Sequence, residues 1–179
     1  MSIRTVSTRE VYRNPWMRLR EDEIERSDGS HGIYAVVEKD PAVILIPLDG
    51  DAIWLVGQYR YTVQQHFWEL PQGGWEMADV DVEELARGEL REETGLTAGK
   101  LTKLGMLWIA YGAMRQEHHV YLCEDLLEGA PMGRDAEEHD LEVKRVAVNE
   151  FERMILDGEI QDNCTVSAWG LYKVWAERQ

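Results

Sequence analysis

Three glutamates near the middle of the chain have the type and spacing needed to hold a divalent cation. Glu89, Glu92 and Glu93 stand at positions i, i+3 and i+4, which places them on one side of an α-helix. Like charges this close repel each other, and a buried unpaired carboxylate would normally take up a proton. A hard cation such as Mg²⁺ relieves both problems because it accepts oxygen ligands. The alternative is a solvated helix end whose glutamates pair with nearby lysines or arginines.

The helix that must position these glutamates is predicted over Asp81–Thr94. Its first residue is a favoured N-cap, Glu84 follows three positions later, and Gly95 stands where a left-handed C-terminal cap belongs. Arg87 and Arg91 fall on one side of this helix. The three glutamates lie on the other side, together with the apolar residues Val82, Leu85, Ala86 and Leu90. We therefore expect the glutamates to face the protein.

The sequence around this helix resembles the Nudix box, G-x5-E-x7-R-E-U-x-E-E-x-G-U, in which U is aliphatic. Gly74 matches its first position, and Gly88–Leu96 aligns with its second half and matches most of it. Three flanking segments are similar to the ADP-ribose and nucleotide-sugar branch of that superfamily: Asn14–Trp16, Gln58–Arg60 and Trp68–Gly74. The resemblance therefore covers nearly the whole chain.

Two positions depart from the box. Val80 stands where the pattern has its first Glu, and Gly88 stands where it has Arg, with Arg87 one position early. In the family these two side chains pair with each other, so their joint loss strands no charge. A glycine inside a helix costs about 1 kcal/mol relative to alanine. A catalytically weak Nudix module that binds a nucleotide as a sensor is therefore an alternative to an active enzyme.

The fold implied by the resemblance is an α/β Nudix sandwich, with a mixed sheet between helices, over residues 41–179. Period-two patterns predict an antiparallel N-terminal sheet within residues 1–40, with strands at Ile3–Tyr12, Met17–Glu25 and Ile33–Val37. Members of this branch pair through that region, so a homodimer is expected. Later patterns predict strands at 42–48, 52–59, 103–109, 118–123 and 142–148, and helices at 149–156 and 164–177.

By the same resemblance, Glu89 and Glu93 are the principal ligands of Mg²⁺ or Mn²⁺, and Glu92 is a further ligand or orients the attacking water. Gly73 and Gly74 would bring a backbone carbonyl to the metal or a phosphate, although a glycine pair in a turn often reflects backbone angles alone. The implied reaction is hydrolysis of the pyrophosphate of a nucleoside-diphosphate sugar, with ADP-ribose favoured. Its products are a nucleoside monophosphate and a sugar phosphate. The ADP-ribose group often carries a proline some way beyond its box, and this chain has Tyr111 near that position. A tyrosine there is closer to the dinucleoside-polyphosphate hydrolases, so such a hydrolase is a second possibility.

The general base of the nucleotide-sugar branch often comes from a loop late in the chain. Glu137 and Glu138 fit that position. An ordinary solvated acidic loop is the competing interpretation of each residue taken singly. We therefore predict catalytic roles for Glu92, Glu93 and one member of this late pair.

Four further residues are predicted to bind substrate. Arg60 ends a strand that leads toward the box and could grip a phosphate, or could form a surface ion pair. Glu69 could contact substrate or hold its loop. Trp16 could contact substrate or lie in the dimer interface. Glu117 could place a fourth carboxylate near the metal.

Composition limits the class of protein. The 179 residues include 34 acidic and 19 basic side chains, a net charge of −15, which disfavours nucleic-acid binding. No apolar stretch approaches the roughly 18 residues of a membrane span. Cys123 and Cys164 lack metal-ligand spacing and suit reduced thiols in a cytoplasmic protein. A structural or partner-binding acidic domain, with solvated glutamates and no specific metal, is the remaining alternative.

Overall fold

The computed structural model describes residues 3–74, 81–130 and 140–179. The strands in these ranges are β1 (Ile3–Arg13), β2 (Arg18–Arg26), β3 (His31–Glu38), β4 (Ala42–Asp49), β5 (Ala52–Arg60), β6 (Gln65–Glu69), β7 (Gln72–Gly73), β8 (Leu96–Trp108), β9 (Met114–Arg115), β10 (Glu117–Glu128) and β11 (Glu142–Ala147). The helices in the same ranges are α1 (Val82–Thr94), α2 (Val148–Leu156) and α3 (Asn163–Ala176).

The larger sheet is mixed. Its strands follow the order β11-β5-β4-β10-β8, with β6 paired to β5 and β7 paired to β4. Strand β10 runs parallel to β4, and the other neighbouring pairs are antiparallel. Most of β4 and the first half of β10 are buried because helices cover both faces.

Alternation along the central strands divides the core into two layers. Val43 and Leu45 pack with Leu85 and Leu90 of α1, whereas the side chains between them point to the other face. There Ile44 and Ile46 belong to a cluster that includes Phe151 and Met154 of α2 and Ala168 and Trp169 of α3. The predicted α/β/α sandwich with a mixed sheet is therefore confirmed.

The smaller sheet is N-terminal and has the order β1-β2-β3-β9. Its first three strands are antiparallel, as the period-two pattern predicted. The fourth, β9, pairs in parallel with β3 and comes from the connection between β8 and β10. This pairing holds the N-terminal sheet against the end of the larger one. No local sequence pattern predicted the pairing.

Helix boundaries follow local chemistry. Asp81 caps α1 by accepting hydrogen bonds from the backbone N–H groups of Glu83 and Glu84, and Gly95 ends the helix with φ of 77°. The strand predicted from Lys103 begins instead at Leu96, directly after this cap. No helix in the described parts of the chain is long and apolar enough to cross a membrane.

Candidate active site

Two of the three predicted glutamates meet the segment that follows β6, Leu70–Gly74, here called the Gly-rich loop. Glu89 and Glu93 are buried, with 5% and 3% of their surfaces exposed. A Glu93 carboxylate oxygen accepts a hydrogen bond of 3.0 Å from the backbone N–H of Gln72. The C-terminal half of α1 is therefore fastened to the loop through an acidic side chain.

Gly73 and Gly74 are required sterically at this junction. A Cβ on Gly73 would lie 2.6 Å from Cδ of Glu89, and one on Gly74 would lie 2.9 Å from the carbonyl oxygen of Pro41. A real Cβ does not approach other heavy atoms this closely. The glycine pair thus lets the loop lie against the Glu89 carboxylate on one side and the start of β4 on the other.

The remaining box positions are less enclosed. Glu92 is partly exposed. Of the three glutamates expected to face the protein, Glu89 and Glu93 are therefore buried and Glu92 is only partly so. Arg87 points outward, where it pairs with Glu83 at 3.0 Å and donates to the carbonyl of Ala98. It therefore does not replace the arginine of the box, whose position is occupied by Gly88. Val80, the other departure, lies outside the described residues.

A divalent metal fits the groups at this junction. Within the described ranges, no three His, Cys, Asp or Glu side chains meet as a ready-made metal cluster. Mg²⁺, however, is commonly bound through one or two carboxylates, with waters and substrate phosphates completing its shell. Glu89 and Glu93, beside a backbone with no side chain at Gly73, match that pattern.

A cavity of about 680 Å³ opens beside the Gly-rich loop. Five residues predicted from the sequence line it together: Trp16, Arg60, Glu69, Gly73 and Gly74. Trp16 reaches it from the turn between β1 and β2, and 56% of this residue is exposed. The cavity thus lies between the N-terminal sheet, the Gly-rich loop and the start of α3, and its volume suits a small-molecule ligand.

Glu69 holds one wall of this cavity. It is 2% exposed, forms an ion pair with Arg60, and accepts hydrogen bonds from the amides of Gln58 at 3.0 Å and Gln72 at 3.3 Å. Burial raises the pKa of this carboxyl, and the nearby Arg60 guanidinium opposes the rise. Arg60, predicted to grip a phosphate, is thus engaged with Glu69 at the cavity wall.

The start of α3 forms the facing wall and was missed by sequence reasoning. Asp162 caps this helix and accepts a 3.0 Å hydrogen bond from the Gln72 amide. Thr165 is fully buried, donates to Asp162 at 2.7 Å and accepts from the backbone N–H of Leu70 at 2.9 Å. The sequence Asp162-Asn163-Cys164-Thr165 was the available signal, because an Asp followed by a helical pattern is a favoured N-cap.

Glu117 lies apart from the main cavity. It borders a neighbouring cavity of about 380 Å³, together with Trp108 and Arg115, and its carboxylate is 3.4 Å from Nε2 of His119. The next residue on β10, His118, lines the main cavity instead, and Gln116, just before the strand, lines both cavities. Glu137 and Glu138, the predicted source of the general base, lie outside the described residues.

Comparison with known proteins identifies the family. A NUDIX domain family model matches residues 38–166, and a model described as the nucleoside diphosphate sugar hydrolase N-terminal domain matches residues 3–37. The chain therefore belongs to the Nudix family of hydrolases.

Its relatives are similar over most of their length. The chain is 31% identical to an ADP-ribose pyrophosphatase of Mycobacterium tuberculosis (strain ATCC 25618 / H37Rv), over 91% of this chain and 79% of the relative. It is 27% identical to an ADP-ribose pyrophosphatase of Bacillus subtilis (strain 168), over 92% and 89%. A crystal structure of an ADP compounds hydrolase superimposes with a TM-score of 0.86 at 22% identity, covering 100% of this chain and 96% of that one. At this identity the last comparison establishes the fold alone.

Proposed function

We propose that this enzyme hydrolyses the pyrophosphate bond of a nucleoside-diphosphate sugar, with ADP-ribose as the leading substrate, to a nucleoside monophosphate and a sugar phosphate. The observation that carries the proposal is the junction of Glu89 and Glu93 with the Gly-rich loop. The glycines of this loop line the 680 Å³ cavity together with Trp16. The names of the two curated relatives support ADP-ribose as the compound.

The chain's own residues divide the work between binding and positioning. Glu89 and Glu93 would hold Mg²⁺ or Mn²⁺, which when bound neutralises the diphosphate and activates a water. Trp16 offers an aromatic face to the base. Glu69 positions the loop through Gln72 and offsets the charge of Arg60. Glu92, and Glu137 or Glu138, remain our choices for orienting or deprotonating the attacking water.

A dinucleoside polyphosphate is the second candidate substrate. The 380 Å³ cavity shares Trp16 and Lys39 with the main one, so the two volumes adjoin. Four basic side chains line the smaller cavity: Arg13, Arg18, Lys39 and Arg115. Three acidic side chains, Glu38, Asp40 and Glu117, line it as well. The observation that favours a longer substrate is therefore the adjoining volume and not the charge of its lining.

We also propose a homodimer formed through the N-terminal sheet, in a cytoplasmic enzyme. Every residue of β1 is exposed in the single chain. Apolar side chains on this sheet include Ile3, Val6, Val11 and Ile33, each more than 40% exposed. An edge strand with exposed apolar groups is a ready surface for association. Light scattering coupled to size-exclusion chromatography tests this, and a monomeric mass at micromolar concentration would refute it.

The test of function is phosphate-product release from ADP-ribose, GDP-mannose, UDP-glucose and diadenosine polyphosphates in Mg²⁺. Wild type is compared with Glu93→Gln and with Glu83→Gln, a control on the exposed first turn of the same helix. We expect turnover of one compound, a loss of at least about 100-fold in Glu93→Gln and little change in the control. Absence of turnover with retained nucleotide binding would favour the sensor alternative. Absence of metal binding would favour the structural domain.

A further inference from the structure

His118 is a buried polar side chain that the mechanism above does not use. It is 6% exposed and lies on β10, between Ala42 of β4 and Leu107 of β8 in the sheet register. It lines the 680 Å³ cavity together with Gln116, which stands two positions earlier, just before the strand begins. The imidazole therefore forms part of the cavity floor.

The described residues provide no hydrogen-bond partner for either ring nitrogen of His118. Buried polar groups in folded proteins are nearly always hydrogen-bonded, so a buried ring with two unmatched nitrogens requires an explanation. Neighbouring His119, in contrast, has its Nε2 near the carboxylate of Glu117. Neither nitrogen is open to water in this side-chain conformation, so a ligand in the cavity can pair with one of them once the ring turns toward the cavity.

The electrostatic surroundings restrict what that partner can be. The Asp162 carboxylate favours the charged form of the ring, whereas the Lys39 ammonium and His119 disfavour it. Burial outweighs these charges and lowers the pKa of His118, so the ring is neutral at physiological pH. A neutral imidazole has one N–H donor and one acceptor nitrogen.

We propose that His118 is a substrate-contacting residue that recognises a sugar hydroxyl of the nucleoside-diphosphate compound from the floor of the cavity; this inference rests on the proposed function. A hydroxyl both donates and accepts, so it pairs with whichever nitrogen a rotation of the ring brings to the cavity. A phosphate oxygen only accepts and is bound better by a cationic group. An amino group of a base only donates and satisfies one tautomer alone.

The test combines variants of His118 with substrates that lack single hydroxyls. The variants are His118→Leu, which removes hydrogen bonding, and His118→Gln, which keeps a donor and an acceptor. His31→Gln, in the exposed first residue of β3, is the control for loss of a histidine. The substrates are ADP-ribose and its analogues deoxygenated at the 2′ or 3′ position of the adenosine ribose, or at the 2′ position of the terminal ribose.

We expect wild type to lose about 10- to 100-fold in kcat/KM on one deoxy analogue. His118→Leu should show that loss with ADP-ribose itself and no further loss with the analogue. His118→Gln should keep part of the discrimination, and His31→Gln all of it. Equal treatment of all analogues by wild type, or full discrimination by a folded His118→Leu variant, would overturn the proposal.

A separate measurement distinguishes failure of this inference from failure of the proposed function. If wild type cleaves no nucleoside-diphosphate sugar, the proposed function fails. The hydroxyl preference is then read from thermal shifts with AMP, 2′-deoxy-AMP, 3′-deoxy-AMP and ribose 5-phosphate. A stabilisation that depends on one hydroxyl in wild type, and is lost in His118→Leu, still supports recognition by His118. Shifts of equal size in both proteins refute it.

Discussion

Replacing Gly73 with alanine tests the close approach of the Gly-rich loop to α1. The added methyl would enter the space occupied by the Glu89 carboxylate, since its Cβ would lie 2.6 Å from Cδ. Either the loop or the Glu89 side chain must then move. Because only 5% of Glu89 is exposed, a shift of its carboxylate disturbs the groups packed around it.

The size of the effect follows from overpacking. Inserting a methyl group into a well-packed site costs about 1–3 kcal/mol. For a chain of this length, each kcal/mol lowers the melting temperature by about 2–4 °C, so Gly73→Ala should melt roughly 2–12 °C below wild type. Displacing a metal-binding carboxylate or its support typically lowers metal affinity or activity by about 10- to 100-fold. We expect a comparable loss of activity at limiting Mg²⁺.

The assay pairs thermal unfolding by circular dichroism with ADP-ribose hydrolysis across a Mg²⁺ titration. Gly112→Ala is the matched control, since a Cβ there meets nothing within 4 Å. A second variant, Gly73→Ala with Glu89→Asp, shortens the carboxylate by one methylene and should recover stability but not activity. If Gly73→Ala melted and turned over as Gly112→Ala does, the argument for a carboxylate held against this loop would be wrong.

Three further outcomes follow from buried groups. Thr165→Val should lower the free energy of unfolding by about 1–3 kcal/mol, measured by urea titration, because it leaves the N–H of Leu70 without its acceptor. Neither Cys123 nor Cys164 should react with Ellman's reagent at pH 8 until the protein is unfolded, because burial raises the pKa of each thiol to about 12; rapid labelling of the folded protein would contradict this. Burial lowers the pKa of His118 in the folded protein, so near pH 6.5 the unfolded chain takes up a proton that the folded ring does not. The free energy of unfolding therefore decreases as the pH falls below about 6.5, by at most ~1.4 kcal/mol per pH unit. His118→Gln should reduce the fall in melting temperature between pH 7.5 and 5.5, and an unchanged fall would refute the assignment.

The parts of the fold that sequence predicted well are those set by local signals. Helix α1 begins after Asp81 and ends at Gly95 because a side-chain cap and a left-handed glycine need only neighbouring residues. The alternation in β4 likewise determines which side chains face each layer of helices. The inward direction of Glu89 and Glu93 followed from the same helical geometry.

What sequence could not predict depends on residues far apart in the chain. The two-residue strands β7 and β9 exist only because β4 and β3 lie beside them, so no local pattern marks them. The cavity wall formed by Asp162 depends on α3 lying against the loop of Gln72, 90 positions earlier. His118 resembled an ordinary core histidine, because its missing partners become visible only once the surrounding side chains are placed.

Gln72 offers a physical answer to the two departures from the Nudix box. In the family pattern, a Glu and an Arg that this chain replaces with Val80 and Gly88 support the helix beside the loop. Here the backbone N–H of Gln72 binds Glu93 of α1, while its side-chain amide bridges Glu69 and Asp162. Neutral donors on Gln72 thereby connect the loop to acidic acceptors on α1, at the end of β6 and at the start of α3, and these contacts need no Glu–Arg pair from the box. The Gln72 contacts thus support the site although the box has lost two of its residues, as an active enzyme requires.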